Sequence, residues 1–180
     1  MIGETAPDVP EPSMVRVSVR DGSNADLPGI AAIYTHYVLR TTTTFHTEVR
    51  TPAAWRQRFD EYVVDGPYEL LVAEVDGVVV GYCETLPFRS KPAYFPTLEL
   101  SIYVAPDGVG GGAGGALITA LLDRLSQGPF HRLLSVITLP NDASVAFHER
   151  HGFVHRGTLT EAGRKFDHYL DVAYFERALD

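Results

Sequence analysis

The sequence has little cysteine, no long apolar run and fewer basic than acidic residues, and each shortage excludes a class of protein. The single cysteine, Cys83, rules out a disulfide within the chain and is typical of a reducing compartment. No apolar stretch approaches the roughly 20 residues that a membrane-spanning helix needs. The net charge of −8 argues against binding to nucleic acid or an anionic membrane. We therefore predict a soluble, cytoplasmic protein with neither kind of partner.

Residues 1–13 differ in composition from the rest of the chain. They contain three prolines and three acids, with no Lys or Arg and no apolar core. A signal peptide needs a basic start and an apolar centre, so this segment is predicted to be a disordered tail instead. Residues 14–180 are predicted to form one domain, since their length suits a single core.

Apolar periodicity and turn chemistry predict the order of the elements. Thr51 before Pro52 is a helix start, Asp76-Gly77 is a hairpin turn, and Asn141 or Asp142 is a helix cap. The predicted strands are 15–20, 69–74, 78–86, 94–104, 131–139, 153–159 and 168–175, with helices at 24–39, 52–63, 113–125 and 142–150 and a late turn at 161–163. This order predicts a mixed α/β fold whose mostly antiparallel sheet carries helices on both faces.

Glycine is concentrated in one short stretch. Six of the eight residues from Gly108 to Gly115 are glycine, between an apolar strand ending at Val104 and a helix starting near Ala113. Without side chains, backbone N–H groups can surround a ligand, and the positive end of the helix dipole adds to them. An anion such as a phosphate or pyrophosphate is the expected ligand. Glu99, on the strand before this loop, is then a candidate base near that ligand.

Other interpretations of the glycine stretch fit less well. Gly110, Gly112 and Gly115 satisfy the dinucleotide pattern G-x-G-x-x-G, but about a hundred residues precede it and the next strand ends without an acid. No Gly-Lys-Ser or Gly-Lys-Thr follows, which excludes a Walker loop. A merely flexible linker does not suit the apolar strand and helix on either side.

Two further patterns invite a chemical interpretation that the spacing does not support. His148, His151 and His155 are close in sequence, but Gly152 ends the helix before the third, so one face cannot present all of them to a metal. No metal is therefore predicted. Cys83 lies in the middle of an apolar strand, which favours a core position over an acyl-carrying nucleophile.

The combination of these segments resembles the GCN5-related N-acetyltransferase (GNAT) family, and more closely its phosphinothricin and methionine sulfone/sulfoximine acetyltransferase branch. The resemblance extends over residues 15–178. The matching motifs are Thr44-Phe45, Thr47-Glu48, 72–77, Ala93-Tyr94, Glu99, Tyr103-Val104, 139–142, Ser144-Val145, His148-Glu149, 157–159, Ala162-Gly163, Lys165 and Asp171-Val172.

The resemblance implies a reaction and its residues. Acetyl would pass directly from acetyl-CoA to the amine of a small anionic amino-acid-like acceptor, in a homodimer that confers herbicide resistance. The implied catalytic residues are Glu99, which deprotonates the amine, and His148, which protonates the leaving thiolate or assists as a base. The implied cofactor-binding residues are Ile102, Tyr103, Val104, Gly110, Gly111, Gly112, Ala113, Gly114, Gly115, Asn141 and Ser144. The implied acceptor-binding residues are Phe45, Arg89, Lys91 and Tyr94, with exposed Tyr169, Tyr174 and Phe175 at the dimer interface.

The residues alone leave simpler alternatives open. Glu99 can be a solvent-facing carboxylate, His148 a surface or cap residue, and Arg89 and Lys91 solvated loop charges. Asn141 can be a plain helix cap.

The family loop usually begins with Gln or Arg and a basic or polar residue, where this chain has Val109 and Gly110. We therefore predict weak acetyl-CoA binding, tightened by Val109→Arg or Gly110→Arg. An aminoglycoside, polyamine or protein N-terminus as acceptor, and a non-catalytic CoA sensor, are the alternative functions.

Overall fold

The computed structural model describes residues 16–179, so the predicted tail at 1–13 lies outside the described residues. The elements follow the predicted order. They are β1 Ser18–Asp21, α1 Leu27–Arg40, α2 Pro52–Phe59, β2 Leu70–Val75, β3 Val78–Pro87, β4 Thr97–Val104, α3 Ala113–Leu125, β5 Arg132–Leu139, α4 Asp142–Arg150, β6 Val154–Lys165 and β7 His168–Ala178. A π-helical turn, Asp60–Val64, extends α2.

The seven strands form one sheet in the order β1-β2-β3-β4-β5-β7-β6. Only β4 and β5 run parallel, and every other neighbouring pair is antiparallel. A mixed, mostly antiparallel sheet is therefore confirmed. The local signals that predicted it also form as expected: Asp76 and Gly77 have φ of 50° and 77° in the β2–β3 turn, and the Thr51 side chain accepts a hydrogen bond from the Ala54 N–H.

Apolar side chains are buried on both faces of the sheet. On one face, α1 and α2 cover a cluster that includes Tyr34, Trp55 and Tyr82. On the other face, α3 covers a second cluster around Leu117 and Cys83. Cys83 is completely buried, and burial raises the pKa of its thiol. The predicted core position of Cys83 is confirmed.

Four details of the sequence prediction are wrong. No turn interrupts 161–163, because β6 continues to Lys165 through an irregularity between Leu159 and Gly163, and Phe166 and Asp167 close the hairpin in left-handed conformations. Residues 92–94 form a short 3-10 turn, so β4 begins only at Thr97. The first strand begins at Ser18, later than predicted. The predicted exposure of three aromatics holds only for Tyr169, which is 65% exposed. Phe175 is buried in the core, 3% exposed, because β7 turns it toward α3, and Tyr174 is partly buried.

β4 and β5 separate part-way along their length. They are paired for four residues, from Thr97 opposite Arg132 to Leu100 opposite Ser135. Both strands then continue for four more residues, to Val104 and Leu139, without pairing with each other. The separation leaves a backbone edge of β4 open in the middle of the sheet. Within residues 16–179, no helix has the length and apolar character to cross a membrane.

A network around Arg20 ties β1 to the start of α1 and gives a test of the fold. Arg20 donates to Asp26 at 2.7 and 2.8 Å and also pairs with Glu74 at 2.6 Å. Hydrogen bonds from Arg20 lower the pKa of the buried Asp26 carboxyl from 3.8 to about 2. The carboxylate therefore stabilises the folded state above its unfolded pKa, and this contribution is lost as the pH falls through the folded value.

We expect Asp26→Asn to lower the free energy of unfolding by about 1–2 kcal/mol at pH 7, an estimate reduced because water screens the partly exposed Arg20. The difference from the unmodified protein should shrink as the pH falls from about 4 to about 2. Urea unfolding at a series of pH values measures this difference in the free energy of unfolding. Asp123→Asn is the matched control, because Asp123 is exposed and its carboxylate forms no ion pair within residues 16–179. An unchanged loss at pH 2 would contradict the assignment.

Candidate active site

Two adjoining cavities occupy the opening between β4 and β5. The inner cavity, of about 380 Å³, contains Glu99 and extends toward Tyr34 and Arg50 under α1 and α2. The loop cavity, of about 740 Å³, lies beside the glycine loop, residues 108–115, and under α4. Six residues line both cavities: Thr43, Ile102, Tyr103, Asn141, Ser144 and His148. The two cavities therefore meet at the open edge of β4.

The open edge presents backbone groups to this meeting point. Ala105 donates its N–H to Val80 of β3, and successive residues of a strand point their hydrogen-bonding groups to opposite sides. The N–H groups of Ile102 and Val104 therefore face the opening. Tyr37 donates its hydroxyl to the Val104 carbonyl at 2.6 Å, which leaves the N–H of Val104 as the available group.

The glycine loop has the backbone geometry of an anion site. Gly110 and Gly112 both have φ of 87°, a conformation that favours glycine, and Gly112 leads directly into α3. The first N–H groups of α3, from Ala113 to Gly115, have no partner within the helix. Gly110, Gly112, Ala113, Gly114 and Gly115 line the loop cavity, whereas Gly111 does not and donates to the Gly108 carbonyl. The cationic Arg150 of α4 also lines this cavity.

The side chain of His148 is held in one orientation at the junction of the cavities. Its Nδ1 donates to the Ser144 carbonyl at 2.8 Å, which leaves Nε2 without a proton. Nε2 is buried and has no hydrogen-bond partner within the described chain. Burial lowers the pKa of His148, so the ring is neutral near pH 7. His148 is therefore a buried acceptor at the site and not a surface residue.

Asn141 and Ser144 precede His148 on α4 and line both cavities. The Asn141 side chain accepts from the Ser144 N–H at 3.2 Å, which confirms the predicted helix cap. The cap uses the amide oxygen of Asn141 and leaves its NH₂ group as a donor. Capping and ligand contact are thus compatible in this residue.

Glu99 is a half-buried carboxylate in the wall of the inner cavity. Within residues 16–179 no ion pair or hydrogen bond holds its carboxylate. Burial raises its pKa, and the positive charges of Arg89 and Arg58 oppose that rise. A carboxylate in this state has more affinity for a proton than one in water, as a general base requires.

The four predicted acceptor residues are not all in the cavity. Phe45 lines the inner cavity, but Arg89, Lys91 and Tyr94 are exposed and do not line it. Arg89 lies over the Phe88 ring, 4.4 Å from its centre. Its positive charge opposes the rise in the pKa of Glu99 that burial causes.

Several residues of the inner cavity were missed by the sequence analysis. They are Tyr34, His46, Arg50, Arg58 and Glu84. Arg58 forms a two-point ion pair with Glu84, at 2.9 and 3.1 Å, so these two charges neutralise each other. The pair joins α2 to β3 across 26 residues, and no local pattern signals it.

A buried lysine fixes the wall between the two cavities. This wall is the threonine loop, residues 41–46, in which Thr43 lines both cavities. Lys165 is only 4% exposed and donates to the Thr44 carbonyl at 2.7 Å and to the Tyr37 carbonyl at 3.4 Å. Burial lowers the pKa of this ammonium. Gly163 lies so close to the Phe45 ring that any side chain there would overlap it. The end of β6 therefore positions this loop.

Within residues 16–179, no group of three or more His, Cys, Asp or Glu side chains is arranged to hold a metal ion. The described groups that can act chemically are instead a free carboxylate, a neutral imidazole and a row of backbone donors. This combination suits the transfer of an acyl group to a nucleophile that first loses a proton.

Comparison with known proteins identifies the class. The model of the acetyltransferase (GNAT) family matches residues 31–153, and the chain belongs to that family. The predicted family, fold and class of enzyme are therefore confirmed.

Three individual members of the family are similar to this chain over most of its length. The chain is 42% identical to a phosphinothricin N-acetyltransferase of Streptomyces coelicolor over 93% of this chain and 99% of that one. It is 35% identical to an L-methionine sulfoximine/L-methionine sulfone acetyltransferase of Pseudomonas aeruginosa, over 91% and 95% of the two chains. A phosphinothricin acetyltransferase of Sinorhizobium meliloti, solved in complex with acetyl-CoA, superimposes with a TM-score of 0.86 at 32% identity, covering 90% of this chain and 88% of that one.

Proposed function

We propose that this protein transfers acetyl from acetyl-CoA to the α-amine of a small anionic amino-acid-like acceptor of the phosphinothricin or methionine sulfone type. The observation that carries the proposal is the position of Glu99, an unpaired carboxylate in a cavity that opens onto the free edge of β4. The names of the relatives support the class of acceptor and the acetyl donor.

The loop cavity fits the donor. We propose that the N–H groups of Ile102 and Val104 bind the pantetheine arm along β4, as a further strand would. The N–H groups from Gly110 to Gly115 and the start of α3 then face the pyrophosphate. Asn141 and Ser144 lie beside the arm where the cavities meet, and Arg150 offers a cation to the phosphates.

The inner cavity fits the acceptor. An α-amine is mostly protonated at neutral pH, so it needs a base before it can attack. Glu99 takes that proton, the nitrogen attacks the thioester carbonyl, and the C–S bond breaks as the amide forms. The departing thiolate takes up the second proton, which the nitrogen loses as the amide forms, and Glu99 releases the first proton to solvent. We propose that Arg89 and Lys91, exposed on the segment between β3 and β4, attract the anionic end of the acceptor.

The geometry of His148 argues against a direct acid role. With its proton on Nδ1, His148 has only a lone pair to offer at Nε2, so it cannot protonate a thiolate until it has itself received a proton. That lone pair can accept a proton, but burial lowers the pKa of His148 and raises that of Glu99, and Glu99 lies in the inner cavity that fits the acceptor. We therefore assign Glu99 as the essential base, and His148 as an acceptor in the proton path or as support for the thioester arm.

The first test is the loss of the base. Glu99→Gln keeps the shape of the side chain and removes its basicity, so kcat should fall about 100-fold or more. His148→Gln should cost less, about 10-fold, because it leaves the carboxylate in place. Release of free CoA from acetyl-CoA with phosphinothricin or methionine sulfone measures both, across a range of pH.

The pH profile separates the two roles. Because burial raises the pKa of Glu99, the unmodified enzyme should lose activity on the acid side at a pH above that of an ordinary carboxyl, and the His148→Gln enzyme should keep this limb. Full turnover in Glu99→Gln would overturn the assignment. Acetyl-CoA binding by the unmodified protein without turnover of any amine would favour a CoA sensor.

The second test concerns the glycine loop. Val109 is 70% exposed and has an ordinary extended backbone, so Arg can be placed there without strain. Gly110 has φ of 87°, where a side chain is strained, so the structure favours only the first of the two predicted substitutions. Val109→Arg should tighten acetyl-CoA binding about fivefold by adding one charged donor.

Calorimetric titration with acetyl-CoA measures this change, with Val109→Gln as the uncharged control. Gly110→Arg should gain less than Val109→Arg, because the backbone strain offsets part of the new contact. Low-micromolar binding by the unmodified protein, with no gain in Val109→Arg, would contradict the prediction of a weakened phosphate site.

We further propose a cytoplasmic homodimer. A free, buried cysteine is compatible with a reducing compartment. The exposed Tyr169 of β7 and Leu159 of β6, at 65% and 51%, lie on the last two strands of the sheet, of which β6 is the edge, and a second copy can cover them. Light scattering should give twice the chain mass of 19.8 kDa, and a mass of one chain would contradict this arrangement.

A further inference from the structure

The inner cavity contains two arginines that the sequence analysis did not assign, and they differ in their partners. Arg58 is committed to Glu84 through two hydrogen bonds. Arg50 has no carboxylate within ion-pair distance in residues 16–179. Its one polar contact from the guanidinium is a long one, 3.5 Å to Nε2 of His46. Among the described residues lining this cavity, Arg50 is the cation that remains available to a ligand.

Two aromatic rings hold the guanidinium of Arg50 in place. It lies 4.9 Å from the centre of the Trp55 ring and 5.2 Å from that of Tyr34. Trp55 and Tyr34 are 4% and 6% exposed and are themselves in edge-to-face contact. A planar guanidinium stacked in this way loses little further freedom when it donates two parallel hydrogen bonds to a pair of oxygens. Arg50 is thus already ordered for a ligand with two oxygens.

The polar groups next to Arg50 are neutral. His46 contacts the Tyr34 hydroxyl at 2.6 Å, and Thr44 contacts the same hydroxyl at 2.7 Å. Burial lowers the pKa of His46, which keeps its ring uncharged near neutral pH. The paired Arg58 and Glu84 add no net charge. Arg50 therefore supplies the net positive charge at this end of the cavity.

Arg50 and the predicted cations lie in different places. Arg50 lines the inner cavity against the Trp55 and Tyr34 rings, and Glu99 lines the same cavity. Arg89 and Lys91 are exposed and do not line it. An amino acid with its amine at Glu99 would therefore have its α-carboxylate toward the exposed Arg89 and the far end of its side chain toward Arg50, inside the cavity.

We propose that Arg50 binds the terminal oxygens of the acceptor side chain and so selects amino acids that end in an oxidised tetrahedral group, a phosphinate above a sulfone. This inference rests on the proposed acetyl transfer to an amino-acid-like acceptor. A phosphinate and a sulfone are both tetrahedral, with a methyl group and two oxygens, but only the phosphinate is charged. Arg50 gains a full ion pair with the first and a weaker hydrogen-bonded contact with the second.

The experiment compares the two acceptors in three variants. Arg50→Gln should lower kcat/KM about 30-fold for phosphinothricin and no more than about threefold for methionine sulfone, mainly through KM. Arg50→Lys keeps the charge but not the planar fork, so it should fall between the unmodified enzyme and Arg50→Gln. Arg89→Gln should lower kcat/KM for both acceptors by similar factors, because both carry the α-carboxylate.

Two controls separate recognition from structural damage. The KM for acetyl-CoA should stay unchanged in Arg50→Gln, since Arg50 does not line the loop cavity. Arg56→Gln, an exposed arginine of α2 outside the inner cavity, should leave both acceptors unaffected. Equal losses for the two acceptors in Arg50→Gln would overturn the inference.

A measurement of phosphinothricin binding distinguishes failure of the Arg50 inference from failure of the proposed reaction. If the unmodified protein turns over neither acceptor, calorimetric binding of phosphinothricin to the unmodified protein and to Arg50→Gln is compared. Binding that disappears in the variant would support the Arg50 site while the proposed reaction is rejected. Binding that is equal in both proteins, or that is absent from both, would overturn the Arg50 inference.

Discussion

β4 and β5 are paired as parallel strands over only four residues, and every other feature of the site depends on their separation after Leu100 and Ser135. A fully paired sheet would hydrogen-bond the N–H groups of Ile102 and Val104 to a neighbouring strand and fill the space that the two cavities occupy. The separated strands instead expose a short piece of β edge at the centre of the molecule, protected from other chains by α4 and the threonine loop. The sheet thus provides both the scaffold and the binding groove.

Some charged side chains of the inner cavity form ion pairs and others do not. Glu84 and Arg58 cancel each other, and Lys165 is turned away from the cavity toward carbonyl oxygens. Glu99 and Arg50 are left unpaired, one on β4 and the other just before α2. An unpaired charge that is partly removed from water costs stability, so its retention within a cavity is a physical indication of use. The two free charges also have opposite signs, which suits the amino-acid acceptor that we propose.

The parts of the structure that local sequence encodes could be predicted from it. Asp76-Gly77, Thr51-Pro52 and the Asn141 cap act over a few residues, and the glycine loop needs its backbone freedom wherever it lies in the fold. The turn predicted at 161–163 was wrong, because Glu161 and Gly163 are as typical of a turn as of an irregular strand. Gly163 lies against the ring of Phe45, a residue far away in the sequence, and no local pattern encodes that contact.

For the candidate site, too, the sequence predicts only the residues that belong to local motifs. Glu99 and the loop glycines follow from motifs in consecutive residues. Arg50, Arg58 and Lys165 do not, because each acquires its role from partners on other elements. Lys165 contacts a carbonyl 121 residues earlier in the chain. Nothing in the residues around these three positions distinguishes them from solvated surface cations, and burial, which no local pattern encodes, makes the difference.

The burial of Cys83 has a practical chemical consequence. Its sulfur lies beneath α3 with no solvent exposure, and its thiol is hard to ionise because burial raises its pKa. Thiolates, not thiols, react with disulfides and alkylating agents, so the folded enzyme resists glutathionylation and maleimide labelling. A colorimetric disulfide reagent added during turnover therefore reports liberated coenzyme alone, and any additional slow reaction with the protein marks its unfolding.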